Sequence, residues 1–459
     1  MKKRYIIISA LMAMTMVNTV QAKEAYSVNR IDGRNRFETS ANISNKFSSA
    51  QVQNVIIASG SNFPDALTGS VLSKKFNAPI LLVDKTVSSS SNAVNYIKGH
   101  LVKGGTIYVL GGKASVDDKF LDYFKSQGYN VKRLGGSDRF ATNKTIVNSM
   151  NVEKGTPVVI ANGYGFADAL SISSVAALKG YPILMSNKIN LPSDIKSTIN
   201  DIQPSKVFLI GGEGSLSNSL IDELKNIVSS LDDSSIVRIG GNTRYETSLN
   251  ICKYFNLDTT SAVIASGKGF PDALSGSALA AKLNAPIILT DGSNIIEQKK
   301  YLDATNYYNL FLLGGKASVS EAATKILNGQ EKFLFHVNKG YIKDGKRYVE
   351  GYFDKFISDL NEAREYERET GESVIEHDDE YGDFLPSDGF DAPISGNVTL
   401  EVSKDLKISG IIYTDEGLDM ADLNGDFSFI TSDEYDTWEI FEVNIKGGIV
   451  IEMNQQYRP

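Results

Sequence analysis

Short, continuous apolar runs alternate with amphipathic segments along the first two thirds of the chain. Val55–Ala58, Pro79–Val83 and Ile107–Leu110 are apolar at every position, which is typical of strands buried on both faces. Asn92–Val102 and Val116–Ser126 instead repeat their apolar residues at helical spacing. Strands of this kind that alternate with helices predict a parallel sheet covered by helices on both sides.

This alternation occurs three times, because the chain contains an internal repeat. Each copy begins with an Arg. A Gly follows three residues later, a second Arg six residues later, an aromatic residue seven later and a Thr nine later. The copies start at Arg30, Arg133 and Arg238, which are 103 and 105 residues apart. A block such as Phe63-Pro64-Asp65-Ala66-Leu67 and a later Gly-Gly block follow in the same order in every copy. We therefore expect three small, doubly wound α/β modules.

After Gly329 the pattern becomes typical of a separate, small α+β domain. Its predicted elements are a hairpin over 331–351, a charged amphipathic helix over Tyr352–Glu369, an acidic loop over Glu372–Asp391, and antiparallel strands over Val398–Tyr413 and Thr437–Met453, the last with a turn at Gly447-Gly448. The expected segments are a signal peptide at 1–22, repeats at 26–130, 131–235 and 236–329, and an acidic domain at 330–459.

The start of the chain has the features of a secretory signal peptide. Lys2, Lys3 and Arg4 precede an apolar run from Tyr5 to Val17, and Val20-Gln21-Ala22 has the small residues of a cleavage site. No other apolar run approaches ~18 residues, so we expect no membrane span. The sequence therefore predicts a secreted protein, with no covalent or membrane anchor evident.

Charge is distributed unevenly between the repeats and the C-terminal domain. Residues 23–330 carry 32 basic and 25 acidic side chains, a net charge of +7, whereas residues 331–459 carry 12 and 30, a net charge of −18. This asymmetry favours an anionic partner for the repeats, although the two parts could also differ only in solubilising charge. We expect no nucleic-acid partner and no cofactor.

The paired arginines of the repeats are candidates for polymer binding. A guanidinium group offers a planar fork that binds phosphate or carboxylate at two points. The candidates are Arg30, Arg36, Arg133, Arg139, Arg238 and Arg244. The same side chains could instead bond to backbone carbonyls or to acidic residues between modules, and the spacing leaves both interpretations open.

Asp65, Asp168 and Asp272 are further candidates, because they fall beyond the carboxyl ends of predicted strands, where such sheets bind ligands. The alternative is that each places a negative charge in the first turn of a helix. A catalytic acid would need a second titratable partner, and none recurs in the repeats. The glycine pairs could cradle phosphate, but tight turns between strand and helix explain them better.

Other potentially reactive residues give no recurring site. Cys252 is the only cysteine, so no internal disulfide can form, and we expect a small buried side chain on a helix. The three histidines share no repeat position and no metal-binding spacing. The segment around Asp422 resembles a calcium loop, but Met420 and Thr431 occupy ligand positions, so a turn at Asn424-Gly425 is favoured. We predict neither a metal site nor catalytic residues.

Taken together, the motif R-x-x-G-x-x-R-[FY]-x-T, the FPDAL block and the Gly-Gly block in three tandem copies resemble the type 2 cell-wall-binding repeats of clostridial surface proteins. The resemblance covers about residues 26–329. It implies a Toprim-like or Rossmann-like α/β fold for each repeat and three repeats around a pseudo-threefold axis. It also implies non-covalent attachment to an anionic secondary polysaccharide of the Gram-positive wall, usually within or beneath a surface layer.

The middle copy departs from the pattern, with Ala167 where the others have Pro64 and Pro271, so its site could be weaker or purely architectural. On this basis we expect a wall-anchored surface protein, not an enzyme, that displays its acidic domain. The C-terminal domain could alternatively carry a wall-modifying activity, or could bind other surface-layer proteins. The sequence decides neither its partner nor the polymer that the repeats bind.

Overall fold

The computed structural model describes residues 26–378, 382–385, 389–414, 417–423, 427, 430 and 439–456. The predicted signal peptide at 1–22 and the predicted turn at Asn424-Gly425 lie outside these residues. Within the described part of the chain, no helix combines the length and the apolar character that a bilayer crossing requires.

The three repeats contain the same alternation of strands and helices. The first consists of β1 (Ser27–Ile31), α1 (Arg36–Phe47), β2 (Val52–Ser59), a 3-10 turn (Pro64–Ala66), α2 (Gly69–Phe76), β3 (Ile80–Val83), a second 3-10 turn (Ser88–Ser90), α3 (Ser91–His100), β4 (Leu101–Leu110) and α4 (Asp118–Ser126). The second consists of β5 (Asn130–Leu134), α5 (Arg139–Ser149), β6 (Val158–Asn162), α6 (Ala167–Lys179), β7 (Ile183–Ser186), α7 (Ser193–Ile202), β8 (Val207–Ile210) and α8 (Ser219–Ile227). The third consists of β9 (Ile236–Ile239), α9 (Arg244–Phe255), β10 (Ser261–Ser266), α10 (Pro271–Lys282), β11 (Ile287–Thr290), α11 (Ile296–Asp303), β12 (Asn309–Leu313) and α12 (Glu321–Leu327).

Local sequence explains where the first helix of each repeat begins. The Asn35 side chain accepts hydrogen bonds from the amides of Phe37 and Glu38, both at 3.0 Å, and so caps α1. Asp138 and Thr243 cap α5 and α9 in the same way. The second Arg of the repeat motif is therefore the first residue of a capped helix, and its position is fixed at the carboxyl end of the neighbouring strands.

The repeats exchange strands around a closed ring. The three sheets have the parallel orders β3-β2-β4-β5, β7-β6-β8-β9 and β11-β10-β12-β1. The strand that carries the first Arg of each repeat therefore belongs to the sheet of the preceding repeat. The N-terminal strand β1 completes the sheet of the third repeat, where Ser27–Ile31 pair with Asn309–Leu313. This pairing joins the first repeat to the last.

Helices α2, α6 and α10 pack against one another at the centre of the ring. Ala169–Ala177 of α6 are buried on all sides, and small Ala and Ser side chains allow the helices to approach closely. The rings of Phe63, Phe166 and Phe270 meet at their N-terminal ends, with centroids 5.6, 5.7 and 6.2 Å apart. One hydrophobic core extends through all three repeats, and the predicted pseudo-threefold arrangement is confirmed.

The C-terminal part is a β-rich domain. Its elements are β13 (Lys332–Lys343), β14 (Lys346–Ile357), α13 (Leu360–Thr370), β15 (Glu376–Asp378), β16 (Gly382–Phe384), β17 (Phe390–Pro393), β18 (Val398–Thr414), β19 (Gly417–Asp422), β20 (Glu439–Lys446) and β21 (Ile449–Gln455). The predicted hairpin over 331–351 and the turn at Gly447-Gly448 are confirmed. The strands follow the order β17-β14-β13-β20-β21-β18-β19, and β14 also pairs with β18.

The helix predicted over Tyr352–Glu369 is wrong in its first part. Residues 352–357 belong to β14, because Phe353 and Ile357 pack into the sheet core. The helix begins only after Asp359, whose side chain accepts hydrogen bonds from the amides of Asn361 and Glu362 at 2.9 and 3.0 Å. The acidic loop predicted over Glu372–Asp391 also contains the short strands β15 and β16.

The C-terminal domain is joined to the third repeat by a shared core. Leu302 and Leu312 of the repeat lie in the same buried cluster as Phe335 and Phe441 of the sheet. At the edge of this contact the Asn294 amide donates to the carbonyl of Thr399 at 3.3 Å. The domain is therefore packed onto the repeat, which fixes its orientation relative to the ring.

Candidate functional site

The first Arg of each repeat holds a loop of the preceding repeat in the ring. Nη1 of Arg30, Arg133 and Arg238 donates to the carbonyl of the first glycine in the Gly-Gly block, at 2.7, 2.8 and 3.0 Å. Those acceptors are Gly314, Gly111 and Gly211. The strand exchange explains this geometry, because it places each Arg beside the strand that ends in that glycine.

The second arm of the same guanidinium groups is also bonded internally. Nη2 of Arg30 donates to the Val319 carbonyl and the Thr324 hydroxyl at 2.7 and 2.6 Å. Nη2 of Arg133 donates to the Val116 carbonyl at 2.7 Å and to Asp118 at 2.9 Å, and that of Arg238 to Asn218 at 3.0 Å. Both arms of each fork are thus engaged within the protein.

The second Arg of each repeat has a more open environment. Nη1 of Arg36, Arg139 and Arg244 donates to the carbonyl of the glycine that follows β2, β6 or β10, at 2.7, 2.7 and 2.6 Å. This is the one hydrogen bond recorded for each of these side chains within the described residues. Arg36 and Arg244 are exposed, so the remaining N–H groups of their guanidinium forks are available to a ligand.

Two of these arginines reach across a boundary between repeats. The Cζ atom of Arg36 lies 5.9 Å from the ring centre of Phe270, and that of Arg244 lies 5.4 Å from Phe166. Both distances are within the range of cation–π attraction. The three second arginines and the three phenylalanines together form a surface at the end of the central helices, which we call the axial face; it consists of Arg36, Arg139, Arg244, Phe63, Phe166 and Phe270.

The boundary between the first and second repeats is built differently. Arg139 lies over Tyr164 of its own repeat, with its Cζ atom 4.4 Å from the ring centre, instead of over Phe63. Tyr164 is 62% exposed and has Ser61 and Lys268 as its counterparts in the other copies. The departure of the middle copy that the sequence indicated at Ala167 thus extends to the placement of its arginine.

Asp65, Asp168 and Asp272 link two segments of their own repeat. Each carboxylate accepts a hydrogen bond from a serine in the Gly-Gly loop, at 2.9 Å both for Ser215 to Asp168 and for Ser318 to Asp272. Ser115 donates to Asp65 in the same way. Burial raises the pKa of Asp168 and Asp272, and the nearby charges of Arg244 and Arg36 oppose that rise.

The glycine pairs form tight turns. Gly111, Gly211 and Gly314 have φ angles of +100°, +112° and +95°, which a residue with a side chain rarely adopts. A Cβ atom added to Gly211 would also lie only 2.5 Å from Oδ2 of Asp168. The loop is therefore shaped by the backbone and by the half-buried aspartate that lies against it.

The remaining candidates from the sequence are dispersed. Cys252 is buried in α9, and burial raises the pKa of its thiol to about 12. His100 stacks on Tyr96 in the first repeat, whereas His336 and His377 lie in the C-terminal domain. In the ranges that the structure describes, no three His, Cys, Asp or Glu side chains are grouped as a metal ion would require.

Sequence reasoning did not single out the aromatic part of the axial face. Phe63, Phe166 and Phe270 recur at one position of every repeat, immediately before the Asp-containing helix. That invariance within the chain was a usable signal, but a phenylalanine next to a helix start is ordinarily a core residue. The loop serines could also have been found, since each lies four residues after the first glycine of its block.

Comparisons with known proteins identify the repeats. Residues 30–121, 133–221 and 238–324 match the family described as Cell wall binding domain 2 (CWB2). The chain is 32% identical over 303 residues to N-acetylmuramoyl-L-alanine amidase LytC of Bacillus subtilis, a match that covers 66% of this chain and 58% of the relative. It is 30% identical over 325 residues to the Amidase enhancer of the same organism, with coverage of 70% and 41%.

Solved structures of two Clostridium difficile proteins are also similar. Cwp6 matches with a TM-score of 0.56 and 28% identity, over 68% of this chain and 49% of its own. Cwp8 matches with a TM-score of 0.59 and 25% identity, over 66% and 51%. The chain thus spans about half the length of the relatives that it matches.

Proposed function

Since this chain belongs to the cell wall binding domain 2 (CWB2) family, we propose that it is a surface protein held non-covalently on the Gram-positive wall by an anionic polysaccharide that binds its axial face. The family assignment indicates cell wall binding. The choice of an anionic polymer rests on charge, because residues 23–330 carry a net charge of +7.

The observation that carries the proposal is the difference between the two sets of arginines. Arg30, Arg133 and Arg238 have both arms of their forks bonded internally, and we assign them a structural role. Arg36 and Arg244 each have one recorded internal hydrogen bond and lie exposed above a phenylalanine. A guanidinium held in this way has N–H groups left to bind phosphate or carboxylate.

The helix starts add to the positive character of the axial face. Phe166 and Phe270 occupy the N-terminal ends of α6 and α10, and neither helix has a side-chain cap. The positive ends of these helix dipoles therefore point toward the same surface as the arginines. Asp65, Asp168 and Asp272 lie just below it, bonded to their serines, and we assign them a positioning role beneath the polymer.

Several weak contacts on one polymer give tight attachment. Each arginine would supply one modest anion contact, but their arrangement around one axis lets a single chain engage more than one at once. The C-terminal domain is fixed on the third repeat by a shared core and is displayed by this anchor. Surface-layer proteins are a further class of partner for that domain.

The test uses the full chain, purified anionic wall polymer and the double variant Arg36→Ala, Arg244→Ala. We expect the affinity to fall by about tenfold or more, because two charge-assisted contacts are lost. The melting temperature should change little. Arg34→Ala is the matched control, since it removes a charge only two residues from Arg36 at a side chain that is 90% exposed. Equal binding by wild type and the double variant would contradict the proposed site.

The similarity to an amidase keeps a wall-cleaving activity as a second candidate. The match covers 66% of this chain and 58% of the amidase, whereas the three repeats of this chain match the wall-binding family model. Incubation of the full chain with wall fragments tests this directly. New free amines or reducing ends would assign a hydrolytic activity to the protein, and their absence would leave anchoring as its function.

A further inference from the structure

Five strands of the C-terminal domain close into a small barrel. In chain order they are β13, β14, β18, β20 and β21. β13 pairs with β14, β14 with β18, β18 with β21, β21 with β20, and β20 with β13, which closes the barrel. The pairing of the third and fifth strands is parallel, and the other four are antiparallel.

This connectivity is that of the OB-fold, a five-stranded Greek-key barrel. Barrels of this type bind oligonucleotides and oligosaccharides on the outer face of their second and third strands. Phe335, Phe353 and Phe441 are fully buried and fill the interior. Fold alone does not establish function, so the chemistry of that outer face has to decide what it can bind.

The outer face carries stacked aromatic rings. Because Val349, Gly351 and Phe353 point into the barrel, the period of two along a strand places Tyr348 and Tyr352 outside. Tyr348 stacks on Tyr341 of the first strand with ring centres 5.5 Å apart, and Tyr352 stacks on His336 at 4.6 Å. We call this set, Tyr341, Tyr348, Tyr352 and His336, the aromatic ladder.

The two stacked pairs border a polar gap. Tyr348 and Tyr352 are four positions apart on β14, which corresponds to about 14 Å along a strand. Between them lies the pair Lys339 and Glu350, whose charged atoms are 3.0 Å apart. On the neighbouring strand β18, Thr399 lies beside Glu350 and Glu401 lies beside Tyr348. Glu401 forms an ion pair with Lys346, with 3.0 Å between the charged atoms.

From this arrangement we propose that the C-terminal barrel binds a neutral oligosaccharide on the aromatic ladder. The C–H faces of pyranose rings are apolar and pack on aromatic side chains, and the hydroxyls around their rims need hydrogen-bond donors and acceptors at the same level. The rings of the ladder supply the apolar packing surface, and the polar gap between its two halves supplies hydrogen-bond donors and acceptors. The site is independent of the axial face of the repeats.

Charge favours a neutral glycan over a nucleic acid. The lysines nearest the ladder are paired with glutamates, so the surface offers donors and acceptors without a net positive potential. The domain as a whole carries a net charge of −18 over residues 331–459. A polyanion gains its affinity chiefly from clusters of unpaired basic side chains, which this face does not offer in its described residues.

Around Lys339 the surface is open to a ligand, whereas His336 is 8% exposed and lies buried against Tyr352. Lys339 in the middle of the ladder has a side chain that is 62% exposed. The turn between β13 and β14, at the end of the ladder, is also uncovered, because a Cβ atom added to Gly345 would meet no other atom within 4 Å. The opposite turn, at Gly448, instead packs against Ile296 and Lys300 of the third repeat. A glycan therefore approaches from the side of β13 and β14.

The experiment measures binding of a chitin hexasaccharide to the full chain by calorimetry, beside the variants Tyr348→Ala, Tyr348→Phe and Tyr352→Ala. We expect wild type and Tyr348→Phe to bind alike, and each alanine variant to bind about three- to tenfold more weakly. Tyr308→Ala is the matched control, because Tyr308 is 48% exposed on the third repeat and lies outside the ladder. The axial-face variant Arg36→Ala, Arg244→Ala should bind this sugar like wild type.

Three results would overturn the assignment. If wild type fails to bind the hexasaccharide, or the alanine variants bind as tightly as wild type, the ladder is not a sugar site. If a single-stranded oligothymidylate binds more tightly than the sugar and loses affinity in Tyr348→Ala, the ladder is a nucleic-acid site. Far-ultraviolet circular dichroism of each alanine variant, matched to wild type, confirms that the barrel has remained folded.

Discussion

The guanidinium group of Arg30 donates a 2.7 Å hydrogen bond to the carbonyl of Gly314, although the two residues are 284 positions apart in the chain. Arg30 lies on β1, the strand that completes the sheet of the third repeat. The contact therefore closes the ring of repeats, and the stability of the last repeat depends on the first residues of the first one.

We predict that Arg30→Ala destabilises the third repeat selectively. The change removes hydrogen bonds to Gly314, Val319 and Thr324, and the carbonyls of the buried Gly314 and Val319 lose this donor. The expected loss is about 2–4 kcal/mol. Hydrogen exchange should accelerate in β12 and α12 but not in β2 or β4, and Arg34→Ala should leave all four unchanged. Uniform acceleration throughout the repeats would show that Arg30 does not act through ring closure.

The role of Tyr164 gives a prediction about the middle repeat that rests on the proposed function. Tyr164→Ser introduces the residue found at the same position in the first repeat, Ser61, and removes the ring over which Arg139 lies. We expect Arg139 to extend over Phe63, as Arg36 and Arg244 do over their phenylalanines.

The expected result of Tyr164→Ser is a severalfold increase in affinity for the anionic wall polymer, because a third guanidinium becomes available. The affinity should also depend more steeply on salt concentration, since one more charge takes part. Tyr254→Ser, at a tyrosine that is 47% exposed elsewhere on the ring, is the control. An unchanged salt dependence would mean that Arg139 does not reach the polymer.

Much of the repeat fold follows from the sequence, because its signals are local. The apolar run at Val55–Ala58 and the cap at Asn35 fix a buried strand and a helix start within a few residues. Ring closure by β1 is different, since nothing in Ser27–Ile31 identifies a partner strand at Asn309–Leu313. Likewise, a spacing of six residues could not show which Arg of each pair turns inward.

The C-terminal domain shows a second limit of sequence reasoning. The apolar residues Tyr352, Phe353, Phe356 and Ile357 fit a helical period as well as they fit a strand. Pairing of residues 352–354 with β13 and of Asp354–Ile357 with β17 decides in favour of the strand, and β17 is a distant partner that a local pattern does not contain. The aromatic ladder was hidden for the same reason, because its stacked pairs form only across strands.

A side chain at position 211 would meet two sources of strain, one in the backbone and one in the contact with Asp168, and a double-mutant cycle separates them. Gly211→Ala should destabilise the protein because alanine is strained at a φ of +112° and because its Cβ atom would lie 2.5 Å from Oδ2 of Asp168. In the background Asp168→Ala the steric contact is gone but the backbone strain remains. We expect the cost of Gly211→Ala to fall by about half in that background, measured by urea unfolding as a double-mutant cycle. An identical cost in both backgrounds would show that the contact with Asp168 contributes nothing.

Asp354 makes the stability of the C-terminal domain depend on pH. It is 5% exposed, and burial together with the nearby charge of Asp391 raises its pKa from the ordinary 3.8 to about 7. His336 lies 3.9 Å away, and burial lowers its pKa, so near neutral pH it does not offset the charge of Asp354. Tyr366 also faces this group, and burial, Glu372 and Asp354 raise its pKa to about 12.

The sign of the effect follows from the direction of the shift. Because the pKa of Asp354 is raised in the folded state, the unfolded chain releases this proton first, and the contribution to stability is lost as pH rises from about 4 to about 7. Asp354→Asn cannot ionise, so its free energy of unfolding relative to wild type should rise across that interval, by at most about 1.4 kcal/mol per pH unit.

The contribution of His336 to the pH dependence of stability has the opposite sign, but it is common to wild type and Asp354→Asn. The difference in unfolding free energy between these two proteins therefore isolates Asp354. Urea unfolding at a series of pH values measures it, with the exposed Asp344→Asn as control; a difference that stays constant across the interval would show that Asp354 is already ionised in the folded domain.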